Sequence, residues 1–589
     1  MSFGKVASFC LAGSIPLKFL WPFIAILSSA ATAADFSYNI ELNAPFEVSS
    51  LLKQHLEIYK WRKHERNSAE QLQRLVDGVA VAASDLLATE GYFSPVIKTR
   101  VDGTTVYIDV DLGKYVLVGN TQMNLQGDIE NNGERLAAVQ RRFDARSAEI
   151  KGERFTQAAW DDLKKRSLAT LLNRDYPAAK MSDSAATIDP EAQTADLALS
   201  FDSGPAYVFG EYSIKGMQRY PEKLIRDQVA IQVGSPYRRN ELIDLQTTLQ
   251  NLPHYASVLV DVKLPTDAPF IAPVHIEVQE APLSKVNTGL GYSTNTGAKG
   301  ELAYRYLNFL NQGWIFNSRM RLEQKEQAFD LGVTLPQLRS GWEHQGWLSY
   351  LRSDVEGLLS ETYRSGVSRT QKEGNIERYL ALQYLTESRE LNDGTRSEPR
   401  SLTLDFKWIQ RALDSEKNPR NGYLVQAEIG GASDSILSDA NFLRLYGNAI
   451  QYLRVGQNGV LMGRLELGQT LTRDANLVPT DWLFRSGGTG SVRGYDYQSL
   501  GIHSGGSIVP GRVMATTTLE YQHPIVKDWR AAVFADYGGA GDLWSTLKPV
   551  LGLGIGARWN SPVGQIGADV AYGVDYSQFR FHFAMGLAF

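Results

Sequence analysis

Beyond its tenth residue the chain contains no cysteine; the one thiol is Cys10. No disulfide framework can therefore brace the fold. After about residue 33 there is also no run of ~18 apolar residues, which excludes a membrane-spanning helix. If this chain crosses a bilayer, a closed barrel is the remaining way, because lipid leaves no partner for unpaired backbone groups. Charge of one sign is not in excess: 60 basic residues face 65 acidic ones, for a net −5 and a pI near 6.0. That balance gives no case for nucleic acid. Catalytic signatures are missing as well. The eight histidines show no pair at metal-ligand spacing, and there is no nucleophile elbow and no phosphate-loop lysine. Gly488-Thr-Gly490 followed by Gly494 echoes a dinucleotide fingerprint, but no helix pattern follows it. Gly552, Gly554 and Gly556 alternate as strand glycines do. The reading is of a protein that is not an enzyme and needs no cofactor or metal.

What the chain does contain falls into three textures. Residues 1–33 read as a secretory signal, with Lys5 and Lys18, the apolar stretch Pro16–Leu27 and the small-residue site Ala31-Thr-Ala33. Residues 36–282 read as three copies of one α/β unit, over 36–114, 115–204 and 205–282. Each has a helical pattern, then a tyrosine (Tyr92, Tyr176, Tyr255), an extended stretch and a second strand. Ser68 with Gln71 suggests a capping box, and Asn240 is the expected N-cap of the third helix, ahead of Leu242, Leu245, Leu249 and Leu252. Small sheets of two or three strands leave backbone edges that an extended client segment can join.

From residue 283 to 589 the texture turns rich in Gly, Tyr and Trp, with alternation of period two. Leu402, Leu404, Phe406 and Trp408 oppose Thr403, Asp405 and Lys407. A soluble sandwich and a membrane barrel both produce such a pattern. The signal segment and the final strand favour the barrel. Phe579, Phe581, Phe583, Met585, Leu587 and Phe589 share one face, opposite Arg580, His582 and Gly586. About sixteen alternating segments fit, an even number as bacterial barrels require. Gly289 and Gly291 weaken the first of them, which must close against a last strand containing Gly586 and ending at Phe589. This seam is a candidate lateral gate.

Between the eleventh and twelfth segments lies Arg485-Ser-Gly-Gly-Thr-Gly-Ser-Val-Arg-Gly-Tyr-Asp-Tyr-Gln-Ser-Leu-Gly501. Its glycines would let the loop fold inward and carry Arg493 into the barrel, where an arginine needs a carboxylate of matching geometry. Asp536, sharing a strand face with Phe534 and Gly538, is one candidate, and Glu520 is another. An exposed loop with a solvated arginine is the alternative.

Two of these stretches carry a family resemblance. Val492-Arg493-Gly494-Tyr495 resembles the loop signature of the BamA/TamA superfamily of outer-membrane assembly factors, and Phe534-x-Asp536-x-Gly538 resembles that superfamily's strand signature. The resemblance implies that Arg493 is held in the lumen by Asp536. It also implies that the α/β units, with Gly91-Tyr-Phe93 matching the usual pattern, are periplasmic POTRA domains. The fold expected is thus α+β POTRA repeats followed by an all-β transmembrane barrel in the bacterial outer membrane. Three such units before about sixteen strands are most similar to the TamA branch. That branch implies a TamB-like, inner-membrane-anchored, periplasm-spanning partner, unfolded outer-membrane or autotransporter clients, and a lipid bilayer around the barrel. A two-partner-type pore for one dedicated exported protein is the alternative.

Overall fold

One wiring recurs three times ahead of the barrel: a leading strand lies parallel to the last strand of its unit, which is antiparallel to the middle one. The structure, a computed structural model, describes residues 37–63, 68–456, 458–561 and 564–588. The expected signal segment with Cys10 and the terminal Phe589 lie outside the described residues.

A first compact unit, residues 37–172 and 178–205 of those described, holds two of the sheets. In the first, β1 (Asn39–Asn43), β2 (Val96–Asp102) and β3 (Thr105–Asp111) are backed by the helix Ala69–Thr89. Ser68 caps that helix by accepting from the Gln71 N–H at 3.1 Å. Leu72, Val76, Val79, Ala83 and Leu87 recur at three- and four-residue spacing and are all buried. They pack with Val106 and Ile108 into one small core. In the second sheet, β6 (Thr194–Asp202) runs between β4 (Leu117–Gln126) and β5 (Lys180–Asp189). Its Ala195, Leu197, Leu199 and Phe201 alternate inward, as a half-buried strand requires.

The second compact unit, residues 173–177 and 206–588, holds the third sheet and the barrel. Here β7 (Val208–Lys215), β8 (Tyr255–Val262) and β9 (Ile271–Glu280) are covered by the helix Arg239–Gln250. Leu242, Leu245 and Leu249 line its buried face. Asn240 is not the N-cap: the helix begins at Arg239, Arg238 occupies the cap position, and no side chain caps the end. The three tyrosines Tyr92, Tyr176 and Tyr255 are all core residues.

Sixteen antiparallel strands then close into a barrel, from the first, Ser284–Ser293, to the last, Gln578–Ala588. A two-residue piece, Arg396–Ser397, only pairs antiparallel with the end of the seventh strand, Ile376–Leu391. The outward face carries the apolar members of each alternating pair. Leu290, Leu404, Leu465, Leu519 and Phe579 are exposed there, whereas Thr518, Glu520, Asp536 and Arg558 are buried inside. Apolar-out and charged-in is the membrane-barrel arrangement and not that of a soluble sandwich.

The third α/β unit is joined to the barrel's near rim. Tyr220 and Leu224 pack on Leu307 and Ile315 at the turn between the second and third barrel strands. Asn308 donates to the Arg219 carbonyl at 2.7 Å and accepts from the Gly313 N–H at 2.9 Å. His254, fully buried, contacts the Gly313 carbonyl through Nε2 at 2.8 Å, so that nitrogen carries the proton. Burial pushes the His254 pKa down, against the opposing pull of the Gly313 and Leu307 backbone. The stability that neutral His254 lends is fully present above its ordinary value of about 6.5 and is lost as the pH falls through its depressed native value. Acidification from pH 7.5 to 5 is therefore expected to speed proteolysis at this joint. H254Q keeps an N–H donor without titrating, so the pH dependence of its cleavage rate should vanish.

Candidate functional site

The connection from the eleventh strand (Gly459–Thr472) to the twelfth (Val513–Val526) turns into the barrel and lies against its inner wall. Gly487, Gly488 and Gly494 have φ of +105°, +91° and +96°, a region that a side chain disfavours. Contact distance is equally restrictive. A Cβ on Gly494 would lie 2.7 Å from the Gly573 nitrogen, and one on Gly552 would lie 1.9 Å from the Arg493 carbonyl oxygen. The alternating glycines of the fourteenth strand (Val550–Ser561) thus include the one that lets the loop backbone lie flat on the wall.

Arg493 is buried at the end of this path. Asp536 grips it in a fork, accepting from Nε at 2.7 Å and Nη2 at 3.0 Å, and also takes the Arg493 backbone N–H at 3.0 Å. Glu520 accepts from Nη1 at 2.8 Å and Asp569 from the same nitrogen at 3.2 Å. The Phe534 ring lies under the guanidinium, 3.3 Å from centroid to carbon. Gly538, two residues beyond Asp536, has φ +150°, and a Cβ there would meet the Ala515 carbonyl oxygen at 2.2 Å. Arg558 completes the cluster by donating to Glu520 at 2.6 and 2.9 Å and to Asp569 at 2.5 Å. Two guanidinium groups thereby meet three carboxylates. Each of these buried charges has partners of opposite sign, which offsets much of the cost of burying it.

The next two residues extend the grip. The Gly494 N–H donates to His582 Nε2 at 2.8 Å, which fixes that nitrogen as the unprotonated one. Tyr495 is fully buried, with its hydroxyl donating to Asp575 at 2.8 Å. Asp569, Arg558 and His582 were not among the candidates read from the sequence. Their lumen-facing parity was visible there; the strand offsets that bring them level with Arg493 were not.

A second anchor holds the start of the same loop on the seventh strand and its neighbours. Glu387, fully buried, accepts from the Thr480 N–H at 2.7 Å and from Ser360 at 2.6 Å. Arg364 pairs with Asp481, and Arg389 donates to the Asn476 carbonyl. Trp482 packs on Phe442 and Val478.

The seam between first and last strands is short. Its register runs only from Gly289 opposite Ala588, through Gly291 opposite Gly586, to Ser293 opposite Ala584. Beside it, Thr294 adds hydrogen bonds to Phe583 at the far rim. Among the described residues, Ser284–Thr288 pair with the second strand alone. By contrast, the sixth and seventh strands stay in register from Leu358 opposite Leu391 to Glu373 opposite Ile376.

Residues 308–589 match the Omp85 superfamily domain. The barrel is thus similar to that superfamily's domain over nearly all of its length. The chain is 24% identical over 406 residues to the outer membrane protein assembly factor BamA of Nitratidesulfovibrio vulgaris, covering 64% of this chain and 50% of that protein. It therefore spans about half the length of that curated relative. Among solved structures, BamA from Haemophilus ducreyi lacking POTRA domains 1–3 superimposes with a TM-score of 0.69 at 16% identity, covering 80% of this chain and all of that one. That likeness speaks to the fold, a barrel preceded by an α/β region resembling POTRA domains. CdiB from Acinetobacter baumannii gives a TM-score of 0.45 at 14% identity, over 81% of this chain and 91% of that one.

Proposed function

We propose that this Omp85-type protein is an assembly factor of the bacterial outer membrane that helps insert or secrete β-rich clients, with its α/β units in the periplasm. The carrying observation is the pairing of a loop anchored inside the lumen with a short seam. The inward loop, anchored at Arg493 and Glu387, tells against a freely diffusing pore. The first strand meanwhile leaves Ser284–Thr288 with backbone groups unpaired toward the closing side among the described residues. An unfolded client strand can add to that edge by hydrogen bonding that does not depend on its sequence. Gly289, Gly291 and Gly586 lower what opening the rest of the seam costs. The sheet edges of the α/β units, such as the exposed β5, receive the client earlier by the same chemistry.

Three α/β units and sixteen strands favour the TamA-like role within the superfamily, with autotransporters among the clients and a TamB-like protein delivering them across the periplasm. The anchored loop makes a dedicated secretion pore the weaker reading, because its substrate would first have to displace a segment held at two places.

A disulfide across the seam tests the gate. Beyond Cys10 the chain has no cysteine, so G291C/G586C creates the only pair in the barrel, at facing positions. Under oxidation, client insertion is expected to fall at least about tenfold, the ratio for 1.4 kcal/mol, and reduction should restore it. Undiminished insertion with the disulfide formed would rule out the lateral route, and continued export of a single substrate would favour the pore.

A further inference from the structure

The outer wall of the barrel carries a hollow that none of the machinery above uses. Gly346 on the fifth strand (Trp342–Val355) lies between Val333 and Val367 on its neighbours. Val367 faces Leu382, which in turn faces Leu404. Val367, Leu382 and Leu404 are all exposed on the outward face, so missing bulk at Gly346 leaves a slot between apolar ridges. It measures about 520 Å³ and opens at its near-rim end onto Leu335, His344 and Arg369. A second hollow of about 640 Å³ shares Val333, Gly346, Val367 and Leu382 and continues toward Leu348, Tyr384 and Leu402.

The near-rim end of the slot is cationic. Arg369 is exposed, points outward in phase with Val367, and stacks on the Trp342 ring at 3.9 Å. Among the described residues no carboxylate pairs with it. His344 lies directly opposite Arg369 in the register. Arginine on the lipid face of a barrel is tolerated near the interface and costs about 2–4 kcal/mol at mid-membrane. Trp342, which opens its strand, places this pair at headgroup depth, where indole rings gather. A free guanidinium matches a phosphate oxygen pair, and the slot above it matches hydrocarbon.

We propose that this groove is a binding site for a single anionic phospholipid of the leaflet next to the third α/β unit, with its phosphate on Arg369 and His344 and an acyl chain laid along Gly346. The proposal rests on the outer-membrane reading of the barrel but not on the gate or the client role. Native mass spectrometry of the purified full-length protein tests it, after detergent delipidation and reloading with phosphatidylglycerol or with diacylglycerol of the same chains. Wild type is expected to retain phosphatidylglycerol at least about tenfold better than diacylglycerol, the ratio a charged hydrogen bond supplies. R369Q removes the phosphate contact and should erase that preference, with R369K restoring part of it. G346L fills the slot and should lower retention of both lipids. A Cβ at Gly346 meets nothing within 4 Å, so the barrel should still fold, checked by its heat-dependent gel mobility. Folded R369Q and G346L that retain phosphatidylglycerol within about twofold of wild type would overturn the site, as would equal retention of the two lipids by wild type. Failure of the barrel to incorporate into bilayers of any composition would instead count against the outer-membrane reading.

Discussion

With Arg493 replaced by methionine, the barrel is expected to lose about 3–5 kcal/mol of stability, the usual consequence of removing one partner from a buried ionic cluster. The reason is specific. Asp536 accepts three hydrogen bonds from Arg493 and no other donor to it is seen among the described residues, so the substitution strands a fully buried carboxylate. Glu520 and Asp569 would keep Arg558, which leaves one cation against three anions. D536N should be milder, because the amide oxygen can still accept from the guanidinium. Denaturant-induced unfolding followed by gel mobility measures the loss, and planar-bilayer recording should show larger, longer openings as the loop leaves the lumen. R493M that keeps wild-type stability and wild-type currents would mean that the cluster does not hold the loop.

Gly552→Val is expected to release the same loop without altering any charge. The added Cβ would sit 1.9 Å from the Arg493 carbonyl oxygen, a backbone atom that can retreat only if the Arg493–Gly494 segment lifts off the wall. Lifting it breaks the fork to Asp536 and the Gly494 contact with His582 together. Channel activity should rise as in R493M, but the Arg493 cation stays in the lumen to offset the three carboxylates, so the loss of stability should be smaller. The two variants separate the contribution of charge from that of close approach. Equal stability losses would assign both to loop release alone.

The barrel was legible because its signal is local. Side chains alternate along each strand, so Leu402, Leu404 and Phe406 declare an apolar face without reference to any neighbour. The helix faces of the α/β units declared themselves similarly, through spacings such as Leu242, Leu245 and Leu249. The expected cap at Asn240 failed because a cap depends on where the chain enters the helix, and entry at Arg239 leaves Asn240 already inside it. The leading strands β1, β4 and β7 were harder to place because each pairs in parallel with a strand more than 60 residues further on, and no local turn marks such a partner.

The site divides along the same line. Arg493, Asp536 and Glu520 could be singled out as an arginine in a glycine loop and two acids on strand faces. Asp569, Arg558 and His582 could not, since their meeting with Arg493 depends on how far successive strands are staggered around the cylinder. Glu387 waits on the seventh strand for a segment that begins near residue 475, and only the inward path of the loop joins them.

By itself, then, the sequence determined an alternating wall, three α/β repeats and a glycine-rich loop carrying Arg493, because these follow from period, propensity and steric freedom within a few residues. The tertiary structure alone decided which face turned outward, which strands came level, and how little of the first strand meets the last. Those outcomes depend on closure, and the closing register is a property of all sixteen strands at once.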